Sequence, residues 1–304
     1  MSAHPPKRGL AACFARRLLP AIALALGLAA QPALADPAAL RAKYTELQGE
    51  LRNNNFQRAL HVDSAETDRS LRGDVYAVLE HPFQKVAEGM REPSQWCDIL
   101  ILPFNTKSCH AVQGEANPRL VVRIGRKYDQ PMEQAYRLDF SYQNVAATPN
   151  YFESRLSASE GPIGTRDYRI TVSAIPLDGG RTFMHLSYAY GYGTAGRFAM
   201  QAYLATAGAD KVGFSSVPAA GGGRPQYIGG VRGAVERNAM RYYLAIDAYL
   251  DSLDAPAQQQ VERRIQGWFS ATERYPRQLR EMDRATYVAM KRQEYERQQA
   301  VAVR

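Results

Sequence analysis

Few residues in this 304-residue sequence fall into spacings that carry chemistry, and each such spacing has a structural alternative. Gly191-Tyr192-Gly193-Thr194-Ala195-Gly196 has the G-x-G-x-x-G pattern, after an expected strand and before an expected helix. In a dinucleotide-binding unit that placement sets backbone amides around a pyrophosphate. Here the strand before it closes an antiparallel series instead of opening a βαβ unit, and no acidic residue ends a second parallel strand about 20 residues on. The glycines are expected to serve a turn from strand into helix. His61, His81, His110 and His185 are scattered, none at i, i+4 spacing with a carboxylate, so no zinc-protease site is expected. Gly213-Phe214-Ser215-Ser216-Val217 lacks the final glycine of an esterase elbow. No catalytic residue, metal ligand or cofactor is assigned on these patterns.

Residues 1–35 read as an export signal. The stretch to residue 18 is basic, Leu18 to Ala30 is apolar without charge, and Ala33-Leu34-Ala35 offers small residues for cleavage before Asp36. The apolar run is shorter than the roughly 20 residues of a spanning helix. Arg16-Arg17 leaves both general and twin-arginine export open. The mature chain is expected in the periplasm, an oxidising compartment where its two cysteines, Cys97 and Cys109, should form a disulfide. The alternative is a metal or redox site with His110, but no fourth donor lies nearby.

Loss of Lys7, Arg8, Arg16 and Arg17 lowers the net charge from +8 to +4. Ten Lys/Arg against six Asp/Glu in residues 257–304 account for all of that surplus, so the body of the protein is neutral. A basic tail with no base-stacking pattern does not point to nucleic acid. The tail, with Trp268 and Phe269, reads either as a helix docked on its own domain or as a peripheral membrane or protein contact.

The residue types in excess are large aromatics. From Tyr136 to Tyr142 they alternate, with Tyr136, Leu138, Phe140 and Tyr142 on one face of a strand. Similar alternation over 151–158, 167–175 and 181–190, punctuated by Gly161-Pro162, Gly164 and Asp178-Gly179-Gly180, predicts further antiparallel strands. Strands are also expected over 61–66, 71–79 and 120–124, with a short hairpin about Gly221-Gly222-Gly223. Helical spacing predicts helices over 38–60, 82–100 (ending near Trp96), 198–207 and 258 onward. The strongest helix is 233–250. Val235, Ala239, Tyr242, Tyr243, Ile246, Tyr249 and Leu250 share an arc of about 120°, and Arg237 and Arg241 fall on the other side.

The run Gly73-Asp74-Val75-Tyr76-Ala77-Val78-Leu79-Glu80-His81-Pro82-Phe83-Gln84-Lys85-Val86 leads to Trp96, then to antiparallel strands and a long amphipathic helix. This order, over residues 60–250, resembles the START-like helix-grip superfamily. Tyr203-Leu204-Ala205-Thr206, Lys211-Val212-Gly213-Phe214 and Arg232 to Asn238 are also similar to segments of secreted proteobacterial proteins, a likeness that brings no activity with it. The resemblance implies an α+β fold, a curved antiparallel sheet gripping the long helix over residues 61–254. An N-terminal helix (36–60) and a charged helical tail (255–304) flank it. Such a sheet has a concave face that large aromatics fill poorly. The expected partner is a hydrophobic small molecule or lipid in a cavity lined by Trp96, Tyr136, Phe140, Tyr142, Phe152, Tyr168, Tyr188, Tyr242 and Tyr243. Arg237 and Arg241 would be placed to grasp an anionic head. Three alternatives stay open: these aromatics form a solid core, the tail makes the protein an envelope interaction module, or a tyrosine, Arg237 or His185 acts as a catalyst on the same scaffold.

Overall fold

The computed structural model describes residue 1 and residues 36–112, 118–206, 208–217 and 226–302. The expected export signal and the expected hairpin loop at Gly221-Gly222-Gly223 lie outside the described residues. Residues 35–304 form one compact unit, so the tail is part of the same body as the sheet.

Helix α1 (Pro37–Arg52) starts on Asp36, whose side chain accepts the Ala38 amide at 2.8 Å, with proline in the first turn. It stops earlier than its apolar spacing alone predicts. Asn54 turns back and its Nδ2 donates to the carbonyls of Glu50, Leu51 and Arg58, satisfying the free end of the helix. Leu40, Leu47 and Leu51 then pack on the outer face of the sheet, against Val78, Tyr151, Ile175 and Phe183.

The sheet has eight antiparallel strands: β1 (Leu60–Glu66), β2 (Ser70–Leu79), β3 (Thr106–Val112), β4 (Arg119–Ile124), β5 (Tyr136–Thr148), β6 (Tyr151–Glu160), β7 (Thr165–Leu177) and β8 (Arg181–Tyr192). Their order is β1-β2-β8-β7-β6-β5-β4-β3. The first long strand therefore pairs with the last, Val75 opposite Leu186. Between β2 and β3 the expected helical stretch is split into α2 (Phe83–Glu88) and α3 (Pro93–Leu100), because Gly89 ends the first and Pro93 starts the second. Cys97 of α3 is bonded to Cys109 of β3 with Cα atoms 5.0 Å apart. This disulfide was the expected pairing, and it ties the inserted helices to the sheet edge.

After β8 come α4 (Thr194–Ala205), the two-residue strands β9 (Ser216–Val217) and β10 (Gln226–Tyr227), and α5 (Gly230–Ser252). Helix α5 crosses the concave face. Gly73 of β2 makes the closest approach possible: a Cβ there would lie 3.0 Å from the Val235 carbonyl oxygen and 3.2 Å from Ala239 Cβ.

The tail forms α6 (Ala257–Thr272), α7 (Pro276–Leu279) and α8 (Arg284–Ala302), and it packs inward. Ile265, Trp268, Phe269, Leu279 and Tyr287 are buried in the main core. Trp268 Nε1 donates to the Arg241 carbonyl at 3.0 Å and the Tyr287 hydroxyl to the Leu102 carbonyl at 3.0 Å. Helix α8 also closes the open edge of the sheet. Glu294, fully buried, accepts from Lys107 of β3 at 2.8 Å and from Lys291 at 2.7 Å. Gln298 Oε1 accepts the Cys109 amide at 2.7 Å. Burial pushes the Lys291 ammonium down to about 8 against the pull of Glu294. Charge in the tail sequence thus reflects buried, paired groups as well as a solvated face.

Arg237 and Arg241, on the side of α5 away from its apolar arc, are buried all the same: they are 1% and 6% exposed. The helix has no solvent side over most of its length, because the sheet takes one flank and the tail another.

Candidate functional site

The concave face and α5 meet closely at Gly73 and part toward β4, β5 and β7, leaving a cavity of about 310 Å³. Phe140 of β5, Tyr168 of β7 and Tyr188 and Tyr190 of β8 line its sheet side. Arg237, Asn238, Arg241 and Tyr242 line its helix side. Gly196, Ala199 and Met200 of α4 and Pro162-Ile163 at the β6–β7 turn bound the cavity at one end. A larger outer depression of about 760 Å³, reaching Ser64–Asp68 and Arg232, shares Thr165, Tyr190, Gly196 and Met200 with it. Helix α4 therefore borders both spaces.

The G-x-G-x-x-G run shapes this boundary. It joins β8 to α4, as expected of a turn, and a Cβ at Gly196 would sit 3.0 Å from Tyr192 Cβ. Its strand belongs to an antiparallel sheet, so the βαβ context for a dinucleotide is missing. Among the described residues no group of His, Cys, Asp or Glu could hold a metal ion, and no helix is long and apolar enough to cross a membrane.

The tyrosines form a connected cluster. Tyr168 stacks on Tyr190 with centroids 5.4 Å apart, Tyr188 lies 5.6 Å from Tyr190 and 5.3 Å from Tyr242, and Phe140 meets Tyr168 edge-on at 6.4 Å. Alternation along β8 puts Tyr188 and Tyr190 on the same face, and α5 brings Tyr242 over them. The Tyr168 hydroxyl donates to Thr165 Oγ1 at 2.9 Å. Burial raises the Tyr188 phenol well above its ordinary value, and the neighbouring phenols Tyr168, Tyr242 and Tyr190 raise it further. Tyr190 and Tyr242 are raised for the same first reason, burial. All four phenols stay protonated near neutrality and can donate.

The cationic groups come from α5 and from the loop after β4. Arg237 Nη1 donates to the Val212 carbonyl at 3.2 Å. Arg241 Nη2 donates to Glu281 Oε1 at 2.6 Å, and Lys127 Nζ reaches the same oxygen at 2.6 Å. Burial pushes the Glu281 carboxyl up, but Arg241 and Lys127 outweigh it and hold the group below its ordinary value. Glu281 belongs to the tail and braces Arg241 without lining the cavity. Among the described residues the lining contains Arg237, Arg241 and Lys127 and no carboxylate.

Of the residues expected at a ligand site, Phe140, Tyr168, Tyr188, Tyr242, Arg237 and Arg241 are brought together here. Trp96, Tyr136, Tyr142, Phe152 and Tyr243 lie elsewhere. Trp96 and Phe152 are fully buried in the core, and Trp96 Nε1 donates to the Met90 carbonyl at 3.2 Å. The Tyr142 hydroxyl donates to the carbonyls of Met90 (3.1 Å) and Arg91. Tyr243 lies under the Arg58 guanidinium, 5.5 Å from its ring centre, and away from the cavity. Tyr136, at the start of β5, is 52% exposed because the strand begins beyond the cover of α5. Tyr190, Met200, Asn238 and Lys127 were not anticipated. The i, i+2 spacing from Tyr188 could have found Tyr190, but nothing local marks the other three.

A strand, two short helices carrying a buried tryptophan, six further antiparallel strands and a long helix across the concave face make an α+β helix-grip arrangement, in the element order expected from the sequence. The leading strand β1, the helix α1 and the tail are additions to it. No protein-family model matches the chain, and no curated protein is significantly similar to it. Among solved structures, a protein from Arthrobacter aurescens is 15% identical with a TM-score of 0.32, covering 61% of this chain and 87% of its own. The human StAR-related lipid transfer protein 5 is 8% identical with a TM-score of 0.31, over 56% and 89%. The ZhuI aromatase/cyclase from Streptomyces sp. R1128 is 12% identical with a TM-score of 0.29, over 46% and 74%. Likeness at this distance says nothing about a ligand.

Proposed function

We propose that this chain, exported and freed of residues 1–35, binds a hydrophobic small molecule or lipid portion in the periplasm, within the cavity between α5 and the concave face. The observation that carries the reading is the cavity itself: about 310 Å³ of space between sheet and helix, bordered by the rings of Phe140, Tyr168, Tyr188, Tyr190 and Tyr242. Its volume lies at the lower end of ordinary small-molecule sites, roughly 300–1,000 Å³. That favours a compact ligand, with any longer tail running past α4 into the outer depression. The Cys97–Cys109 bond is in keeping with an oxidising compartment.

The test is native mass spectrometry with organic extraction of the protein purified from periplasm without detergent. A stoichiometric hydrophobe is expected, and Ala199→Trp, which projects a large ring from α4 into the cavity, should reduce its occupancy. Protein that is empty, and takes up no hydrophobe from a mixed lipid extract, would retire the reading.

A further inference from the structure

Three phenols around the cavity, unlike most other buried phenols of this molecule, have hydroxyls with no protein partner among the described residues, and unlike the equally unpartnered Tyr243 they border open space. The Tyr142, Tyr151, Tyr192, Tyr275 and Tyr287 hydroxyls each donate to a carbonyl or carboxylate. The hydroxyls of Tyr188, Tyr190 and Tyr242 have no hydrogen-bond partner among the described residues, although Tyr188 and Tyr190 are only 6% and 5% exposed. Three such donors together on one cavity wall offer an acceptor a place to bind. The charge of the lining points the same way. Arg237, Arg241 and Lys127 border the space, Glu281 offsets part of their charge from behind, and among the described residues no carboxylate lines it.

We propose that the cavity takes a compact amphiphile whose polar end is a carboxylate, received by the Tyr188, Tyr190 and Tyr242 hydroxyls in the field of Arg237 and Arg241. This rests on the cavity being a ligand site and adds the chemistry of the ligand's head. The donors are protonated phenols and guanidiniums, so the complementary group is an acceptor. The net positive lining makes it an anion, and the volume leaves room for a small one beside an apolar body. The stacked rings of Tyr168 and Tyr190, with Phe140 edge-on, offer that body flat aromatic walls.

The experiment compares naphthalene-2-carboxylic acid with 2-ethylnaphthalene, which has the same shape and no polar atom, by naphthalene fluorescence titration at neutral pH. The acid should bind at least about tenfold more tightly. Tyr188→Phe and Tyr242→Phe should each weaken the acid by about tenfold while leaving the hydrocarbon unchanged. Tyr44→Phe, on α1 outside the sheet, should alter neither. Equal affinity for the two probes, or Phe variants that hold the acid as well as the parent protein, would overturn the carboxylate and leave an apolar site standing. Failure of the acid alone, with the hydrocarbon bound, has the same meaning. Failure of both probes overturns the proposal and counts against the cavity as a ligand site. Thermal melts of the two variants should match the parent, since no partner is lost in the free protein.

Discussion

Two aromatic clusters of similar composition sit on opposite flanks of α5, and they differ in what happens to their polar atoms. Under the tail, Phe104, Trp268, Phe269 and Tyr287 pack edge-on and stacked within about 5 Å of one another. Every indole and phenol polar atom there is spoken for: Trp268 by the Arg241 carbonyl, Tyr287 by the Leu102 carbonyl. At the cavity, Tyr188, Tyr190 and Tyr242 make equally close ring contacts, yet their hydroxyls face space. Ring packing therefore does not separate core from site. Hydrogen-bond completion separates these two clusters, although Tyr243 elsewhere in the core also keeps a hydroxyl unpartnered among the described residues.

Substitutions can break this contrast. The largest effect is expected at the packed cluster, where Trp268→Ala should cost about 3–5 kcal/mol in denaturant unfolding. An exposed, freely moving tail would lose almost nothing. Cys97→Ala with Cys109→Ala should cost about 3 kcal/mol from the loop it releases, and the same loss should appear in the parent protein under reductant. Tyr287→Phe strands the Leu102 carbonyl and should cost about 1–3 kcal/mol. Tyr242→Phe should cost close to nothing, or stabilise slightly, because its hydroxyl has no described partner to strand. A Tyr242→Phe loss as large as that of Tyr287→Phe would erase the distinction between the clusters.

A pH dependence is expected at the brace between them. Glu281 is held below the ordinary carboxylate value, its burial outweighed by Arg241 and Lys127. A depressed acid contributes stability that is present above the unfolded value, about 4.3, and lost as pH falls through the folded one. Glu281→Gln should therefore flatten the fall in stability on the acid side of that value, read from unfolding curves across pH. An unchanged acid limb would mean that Arg241 does not depend on this partner.

Much of the architecture was legible in the sequence because it rests on local periodicity. Alternation placed β5 to β8 within a few residues of where they lie, and helical spacing placed α5. Strand β3 was missed: Thr106 to Val112 mixes a buried lysine with polar residues, and its burial comes from the distant α8. The site was legible in part. Phe140, Tyr168, Tyr188 and Tyr242 stand out as aromatics on the expected inward face. Tyr136 and Tyr142 share that face and still miss the cavity, one beyond the end of the cover and the other against Met90 and Arg91. Arg237 and Arg241 were recognised as anion-binding candidates by type, but their burial was not legible, because a helical wheel knows nothing of the tail that closes over it.

The sequence by itself determined the order of elements, the aromatic character of the concave face and the pairing of Cys97 with Cys109, since each follows from residues close in the chain. Only the tertiary structure decided which aromatics close-pack and which enclose space, whether the charged tail is solvated or buried, and which phenols lack a partner. Those outcomes depend on contacts such as Lys107 to Glu294, 187 residues apart, and on the divergence of sheet and helix beyond Gly73. No local pattern encodes the distance between two elements that meet only when the whole chain is folded.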